Sequence, residues 1–308
     1  MIKIKYEEGK KFLESLTKED IQSVGEALVI EDQASGQSLL TLDYAIFKEE
    51  LTKAGSDSDK IDEGLIYIPD CAAAGGQSVV YPDGVPYIMV HSFRAREMDG
   101  EGGDDGAECG TPSLEAVIQG KVVTLGSFGY KYGNCEDCTH NTMDENVPIS
   151  DKCFWQNKFI ILTVIKSGET GEFEAIPVQM KGKSIRAKAT KNALITYTKK
   201  CNGKTHEYIG RLTSAEQKGR SKEKKKDYIV HVPVMTPDLH LKVDADFLDI
   251  MRSFRDSMAA YYIVQHMKRT NRNTALGQEA EKARLEDPTG SSAGVIEHKS
   301  EDDSKIKL

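Results

Sequence analysis

Long hydrophobic runs are missing from this 308-residue sequence. No stretch of about 18 consecutive apolar residues occurs, so the sequence predicts no membrane-spanning helix. The first residues also contain no apolar run of secretory length. These two absences favour a cytoplasmic protein.

Familiar catalytic motifs are missing as well. The sequence has no Gly-x-x-x-x-Gly-Lys-Ser/Thr loop, no Gly-x-Ser-x-Gly elbow and no His-Glu-x-x-His pair, and its seven histidines are scattered. We therefore expect a protein that is not an enzyme. One catalytic alternative stays open, a magnesium-dependent nuclease using Asp99, Glu101 or Asp104. The surrounding segment 99–106 lacks the alternating Asp residues and closing Glu of a calcium loop, so we interpret it as a mobile acidic loop.

Cysteine is present at six positions, and three of them fall between residues 135 and 153. In a chain without an export signal this favours metal binding over disulfides. The motif Cys135-x-x-Cys138 can direct two thiolates at one ion, and Cys153 directly before a strand supplies a third. For the fourth ligand we predict Cys109, with His140 and His91 as alternatives. Four such ligands leave no open position, so the predicted Zn²⁺ is structural.

Positive charge is concentrated in one segment of an otherwise acidic chain. The formal net charge is −8, yet residues 181–226 contain 15 Lys and Arg against 3 Glu and no Asp. This separation favours a surface that binds a polyanion, although a solvated basic surface remains the alternative. The cations predicted to hold phosphates are Lys181, Lys183, Arg186, Lys188 and Lys191.

Alternating and apolar runs predict a sheet-rich α+β fold. Strands are expected near residues 65–69, 87–91, 121–125, 159–165, 172–180, 194–197, 207–210 and 228–234. Their short connections favour an antiparallel, OB-like β-barrel core. Helices are expected after a cap at Thr17, from Asp43, and over residues 244–268, where an apolar stripe predicts either core or a dimer seam.

The predicted organisation has four parts. Residues 1–60 form an N-terminal support segment, 61–240 the zinc-containing nucleic-acid-binding domain, 241–285 an amphipathic helix region and 286–308 a disordered acidic tail. Within the central part, four aromatic rings are candidates for stacking on bases, with ordinary core packing as the alternative. They are Tyr130, Tyr132, Trp155 and Tyr197.

The order of these motifs resembles a group of phage-encoded single-stranded DNA-binding-like proteins. The resemblance covers about residues 85–215: an upstream Cys, the motif Cys135-x-x-Cys138, Lys152-Cys153 before a hydrophobic strand, then a second strand over 175–180 and the basic turn 181–184. It implies an OB-like fold, a structural zinc and a role in handling single strands during viral replication. The acidic tail resembles those that recruit replication proteins.

Three hypotheses follow for function. The first is a non-enzymatic protein that binds single-stranded DNA without sequence preference in replication or recombination and that can form a homo-oligomer. The second is a zinc-stapled interaction factor whose helix over 247–265 and acidic tail contact a polymerase, a helicase or a host target. The third is the nuclease described above.

Overall fold

A computed structural model describes residues 1–26, 42–47, 61–99, 107–118, 120–129, 131–141, 152–182, 186–220 and 227–286. These residues form four α-helices, which are α1 (Tyr6–Glu14), α2 (Lys18–Glu26), α3 (Arg186–Lys200) and α4 (Ala245–Glu286). The strands of the N-terminal half are β1 (Ile2–Lys3), β2 (Asp43–Tyr44), β3 (Ile46–Phe47), β4 (Ile66–Cys71), β5 (Gln77–Val80), β6 (Val85–Asp99), β7 (Ala107–Pro112), β8 (Leu114–Ile118) and β9 (Lys121–Leu125). They are followed by β10 (Phe128–Gly129), β11 (Gly133–Asn134), β12 (Phe154–Lys166), β13 (Phe173–Gly182), β14 (Tyr208–Arg220) and β15 (Asp227–His240).

The central sheet has seven strands and is mostly antiparallel. Its order is β15-β14-β6-β12-β13-β2, and β7 pairs with β6. Because β12 occupies one edge of β6, β14 and β7 share the other edge, β14 along Val85–Ile88 and β7 along Ala95–Asp99. A four-stranded sheet, β1-β5-β4-β3, and the hairpins β8–β9 and β10–β11 complete the strands.

The central sheet is covered on both faces. In β12, Ile160, Leu162 and Val164 pack in the layer that contains α1, α2 and α4. Phe159 and Ile161 point to the opposite layer, with the four-stranded sheet and α3. A strand buried on both faces is expected to be continuously apolar, which explains the run over 159–165.

Several predicted elements are confirmed. The strand at 159–165 and the strand at 172–180 form the antiparallel hairpin β12–β13. The cap at Thr17 is present: its backbone N–H donates to Asp20 Oδ2 at 2.8 Å, and the Asp20 N–H donates to Thr17 Oγ1 at 3.2 Å. The helix over 244–268 is the first part of α4, whose N–H at Phe247 donates to Asp244 Oδ1 at 2.8 Å.

Two predicted elements are wrong. Residues 194–197 lie in α3 rather than in a strand, because they continue a segment rich in Ala and Lys that favours a helix. The helix expected from Asp43 is replaced by β2 and β3, since Asp43 and Tyr44 pair with β13 while Ile46 and Phe47 pair with β4. Tertiary pairing here overrides a helical spacing of apolar residues.

The structure is a mixed α+β fold, as predicted, and its described strands do not close into a barrel. The central sheet ends at β15 on one side and at β2 on the other, and these two strands are not paired with each other. Pro233 and Pro237 in β15 suit an edge strand, where a missing N–H costs no ladder bond. The predicted tail beyond Glu286 lies outside the described residues. Among the described helices, none combines the length and the apolar character needed to cross a membrane.

Candidate functional site

Four cysteines converge at one end of strand β6. Cys109 in β7 pairs with Met98, while Cys153 immediately precedes Phe154, which pairs with Glu97 from the other edge of β6. Cys135 and Cys138 follow the small hairpin β10–β11. All four side chains line one small cavity. The structure thus brings together the four residues that the sequence predicts as metal ligands.

Backbone hydrogen bonds hold the loop that carries the Cys-x-x-Cys motif. The N–H of Cys135 donates to the Ser127 carbonyl at 2.7 Å, and the N–H of Cys153 donates to the His140 carbonyl at 2.9 Å. Asn141 closes the turn, since its N–H donates to the Cys138 carbonyl at 2.9 Å and its side-chain amide to the Cys135 carbonyl at 2.7 Å. The turn is therefore tied both to its own hairpin and to the start of β12.

Three of the four thiols lie in an apolar environment that disfavours their charged form. Burial raises the pKa of Cys109 and Cys135, and it raises the pKa of Cys153 to about 12, with the neighbouring thiols adding to the shift. A divalent cation among the sulfurs would reverse this balance, because it favours thiolates. The donor set is the soft, all-sulfur type that suits zinc.

Close packing at Gly129 is consistent with a sulfur cluster. A Cβ atom at this position would lie 2.7 Å from Cys109 Sγ and 3.7 Å from Cys135 Sγ, so only glycine fits beside the two sulfurs. Among the described residues, however, no three His, Cys, Asp or Glu side chains already have the geometry of a metal site. The cavity suits a metal in its donors, and zinc stays a prediction.

The two histidine alternatives for the fourth ligand differ in position. His140 lines the same cavity, and its ring packs on Tyr132 with 4.4 Å between centroids. His91 pairs with Ile160, seven residues along β12 from Cys153, which corresponds to a separation of roughly 23 Å. The structure therefore leaves Cys109 and His140 beside the other three cysteines and places His91 elsewhere.

Next to the cysteine cavity, one face of the central sheet carries two arginines and the single tryptophan. Trp155 pairs with Arg96, and Asn157 pairs with Arg94, so these four side chains share one face. The guanidinium of Arg94 lies 4.3 Å from the centroid of the Trp155 ring, and that of Arg96 lies 4.6 Å from it. We call Arg94, Arg96, Trp155 and Asn157 the Arg–Trp face.

Helix α3 begins beside the Arg–Trp face. The side-chain amide of Asn157 donates to the Ala187 carbonyl at 2.8 Å, which joins β12 to the first turn of the helix. The 15 residues of α3 include five Lys and Arg and no acid, and Lys188 and Lys191 are exposed. Arg186 is engaged within the fold, because its Nε donates to the His231 carbonyl at 2.7 Å and its guanidinium covers Phe47.

The predicted nucleic-acid contacts do not all lie on one surface. Lys181 pairs with Lys158, so it projects from the sheet face opposite to Trp155. There it lies near Glu97, the ion-pair partner of Lys158. Burial opposes ionisation of that carboxyl, but Lys158 and Lys181 outweigh it and hold the pKa of Glu97 below its usual range. Lys181 therefore has an electrostatic role inside the fold.

The predicted stacking rings are also redistributed. Tyr197 is fully buried, with its ring packed against Tyr87 at 5.5 Å, so it is core and not a surface for bases. Tyr132 is half-buried between His140 and the Lys131 ammonium. Trp155 is also half-buried, and among the described candidate rings it alone belongs to the Arg–Trp face. Tyr130 and Lys183 lie outside the described residues.

Sequence reasoning missed Arg94 and Arg96. Their signal was present, since Arg94 and Arg96 alternate with Phe93, Ala95 and Glu97 in an extended segment, which places both arginines on one face of a strand. The predicted strand at 87–91 stopped short of them. Trp155, which pairs with Arg96, lies 59 residues further along the chain, and that register cannot be read from local spacing.

The structure describes only some of the residues on which the interaction-factor and nuclease hypotheses depend. The apolar stripe of α4 is buried: Phe247, Met251, Phe254 and Met258 are each at most 8% exposed and pack into the core. It is therefore core, and it offers no partner a free apolar face. Of the nuclease candidates, only the backbone of Asp99 is described, at the end of β6; Glu101 and Asp104 lie outside the described residues.

Comparison with known proteins gives no relative: no protein-family model, no curated protein and no solved structure matches this chain.

Proposed function

We propose that this protein binds single-stranded DNA, without catalysis, along the Arg–Trp face and the first turns of α3. The observation that carries the proposal is the pairing of Trp155 with Arg96, beside Arg94, on the sheet face where Asn157 joins β12 to the first turn of α3. That end of the helix carries the exposed Lys188 and Lys191. The Trp155 ring can stack on a base, while Arg94, Arg96 and the lysines of α3 hold the phosphates of the same strand.

The charge at the start of α3 supports an anionic ligand. The first turn contains Arg186 and Lys188 and no acid, whereas the positive end of the helix dipole would favour acidic residues there. A phosphate group beside this turn would compensate both the dipole and the charge of Lys188. This arrangement is unfavourable for an isolated helix and favourable for one that contacts nucleic acid.

A structural zinc belongs to the same proposal. Cys109, Cys135, Cys138 and Cys153 would hold it, with His140 as the rival to Cys109, and the metal would fix the loop beside the Arg–Trp face. In this proposal the single-stranded DNA lies across one face of an antiparallel sheet, as it does in an OB-fold. We also propose that the protein acts in phage replication or recombination in the host cytoplasm. Its tail would recruit replication proteins.

The experiment compares the two ends of α3. Lys188→Gln/Lys191→Gln removes two cations from the end of α3 that Asn157 joins to β12, and Lys199→Gln/Lys200→Gln removes two cations from the last turn. The ends are about 16 Å apart, from 11 residues at the helical rise. Binding of fluorescent oligo-dT is measured for both variants and for wild type at two salt concentrations.

The expected outcome follows from counterion release. Each phosphate contact on a single strand makes the negative slope of log K against log salt steeper by about 0.7. Relative to 1 M salt, one contact therefore raises the affinity at 0.1 M salt about fivefold. The first variant should lose about 25-fold and have a slope that is about 1.4 less steep. The second should change little. Equal losses in the two variants would contradict the proposed interface, and absence of oligonucleotide binding by wild type would contradict the function.

A further inference from the structure

Arg96 belongs to two sites at once. Its guanidinium lies over the Trp155 ring at 4.6 Å, and its Nη1 donates to the Cys135 carbonyl at 3.4 Å. The same side chain lines the cavity that the four cysteines share. Arg96 therefore connects the Arg–Trp face with the loop that carries the Cys-x-x-Cys motif.

One donor of Arg96 has no partner in the part of the chain that the structure describes. Its Nε is buried and makes no hydrogen bond to any described residue. A buried guanidinium N–H without an acceptor is costly, so its retention beside four sulfurs needs a reason. Four thiolates around one Zn²⁺ carry a net charge of −2, and an adjacent guanidinium is the group that offsets such a charge.

Arg94 provides an internal comparison. It lies over the same tryptophan ring, at 4.3 Å, and on the same face of β6. It is two residues further from the cysteines and does not line their cavity. The two arginines therefore share the tryptophan and differ in their relation to the sulfurs.

We propose that Arg96 is a positioning residue that couples metal binding at the four cysteines to nucleic-acid binding at the Arg–Trp face. A metal in the cavity fixes the Cys135 carbonyl and attracts the Arg96 guanidinium, which holds Arg96 and Trp155 in the arrangement that accepts a strand. By linkage, a bound strand tightens metal binding by the same factor. The nucleic-acid half of this inference rests on the proposed function, and the metal half does not.

The first experiment tests the metal half alone. Zinc affinity is measured by competition with a chelator for wild type, Arg96→Gln and Arg94→Gln, and emission of Trp155, the only tryptophan, is followed in each titration. Loss of a residue that supports metal ligands typically weakens metal binding about 10–100-fold, which we expect for Arg96→Gln. Arg94→Gln should keep the wild-type zinc affinity. Zinc should shift the emission in wild type and in Arg94→Gln, and much less in Arg96→Gln.

Wild-type zinc affinity in Arg96→Gln, or equal losses in both variants, would overturn the inference. Circular dichroism checks that the variants fold. If Arg96→Gln does not fold, Arg96→Lys is measured in its place. Lysine keeps the positive charge but lacks the planar guanidinium that contacts the Cys135 carbonyl and the Trp155 ring together. Arg96→Lys should then show the reduced emission response, and a wild-type response would count against the proposal.

The second experiment tests the coupling. Oligo-dT affinity is measured with zinc and after its removal, and we expect zinc to tighten binding at least about fivefold in wild type and in Arg94→Gln. In Arg96→Gln the ratio should fall to about one. Oligonucleotide binding that is independent of zinc in wild type would overturn the coupling and leave the proposed function standing. No binding under any condition would overturn the proposed function, while the first experiment still tests the metal half.

Discussion

Substitution of Gly129 by alanine tests whether the cysteine cavity is a metal site. The added Cβ would lie 2.7 Å from Cys109 Sγ, closer than real Cβ contacts, and 3.7 Å from Cys135 Sγ. Gly129 is held in the hairpin β10–β11 by its pairing with Gly133, so the backbone cannot easily move away. We expect Cys109 to be displaced from the other three sulfurs.

The size of the effect follows from the overlap. Overpacking of a close contact typically costs about 1–3 kcal/mol. If this strain falls on the ligand geometry, zinc affinity drops by about 5–150-fold, since about 1.4 kcal/mol corresponds to tenfold. The assay is chelator competition for zinc, together with thermal unfolding in the presence and absence of the metal.

Gly120→Ala is the matched control. Gly120 has φ +74° in the turn between β8 and β9, and no atom of a described residue lies within 4 Å of an added Cβ. Alanine there should destabilise the protein by about 1–2 kcal/mol through its backbone conformation and leave zinc affinity unchanged. If Gly129→Ala binds zinc as tightly as wild type while Gly120→Ala behaves as expected, Cys109 is not a ligand and the four-thiol site is refuted.

Two further predictions concern stability. Gly25→Ala in α2 should stabilise the protein by about 0.5–1 kcal/mol, because the new methyl meets Phe254 at an ordinary 3.6 Å and alanine favours the helix; a lower melting temperature would contradict this packing. Burial lowers the pKa of His91 and of His266 to about 4 in the folded protein. In the unfolded chain these histidines bind protons already near pH 6.5, so the free energy of unfolding should fall as the pH drops from about 6.5 towards 4. Thermal scans with chelator present should give a flatter profile for His91→Gln/His266→Gln, and an unchanged profile would show that these histidines do not cause the loss.

Elements with a strong local signal could be predicted from the sequence. The run over 159–165 is apolar at nearly every position because β12 is buried on both faces, and Ser167–Gly171 closes the hairpin to β13. The cap at Thr17 depends on residues three apart, and the stripe of α4 repeats at three and four. In each case the residues that decide the structure are close in the chain.

Elements decided by distant partners could not be predicted. Residues 43–47 form short strands because β13 and β4 pair with them, and nothing near them in the sequence encodes that pairing. The register of β13 on β12 decides whether Lys181 lies on the same sheet face as Trp155. A shift of one residue would move Lys181 to the Trp155 face. The cysteines were found by their spacing, whereas the arginines beside them required the ladder between β6 and β12.

The salt dependence of single-strand binding tests the central claim most directly. With Arg94, Arg96, Lys188 and Lys191 as the phosphate contacts, a titration of Trp155 emission with oligo-dT should give a slope of log K against log salt of about −3. Quenching should disappear at high salt, and duplex DNA of the same length should bind more weakly. An affinity that does not change with salt, or oligo-dT binding that leaves Trp155 emission untouched, would contradict the account.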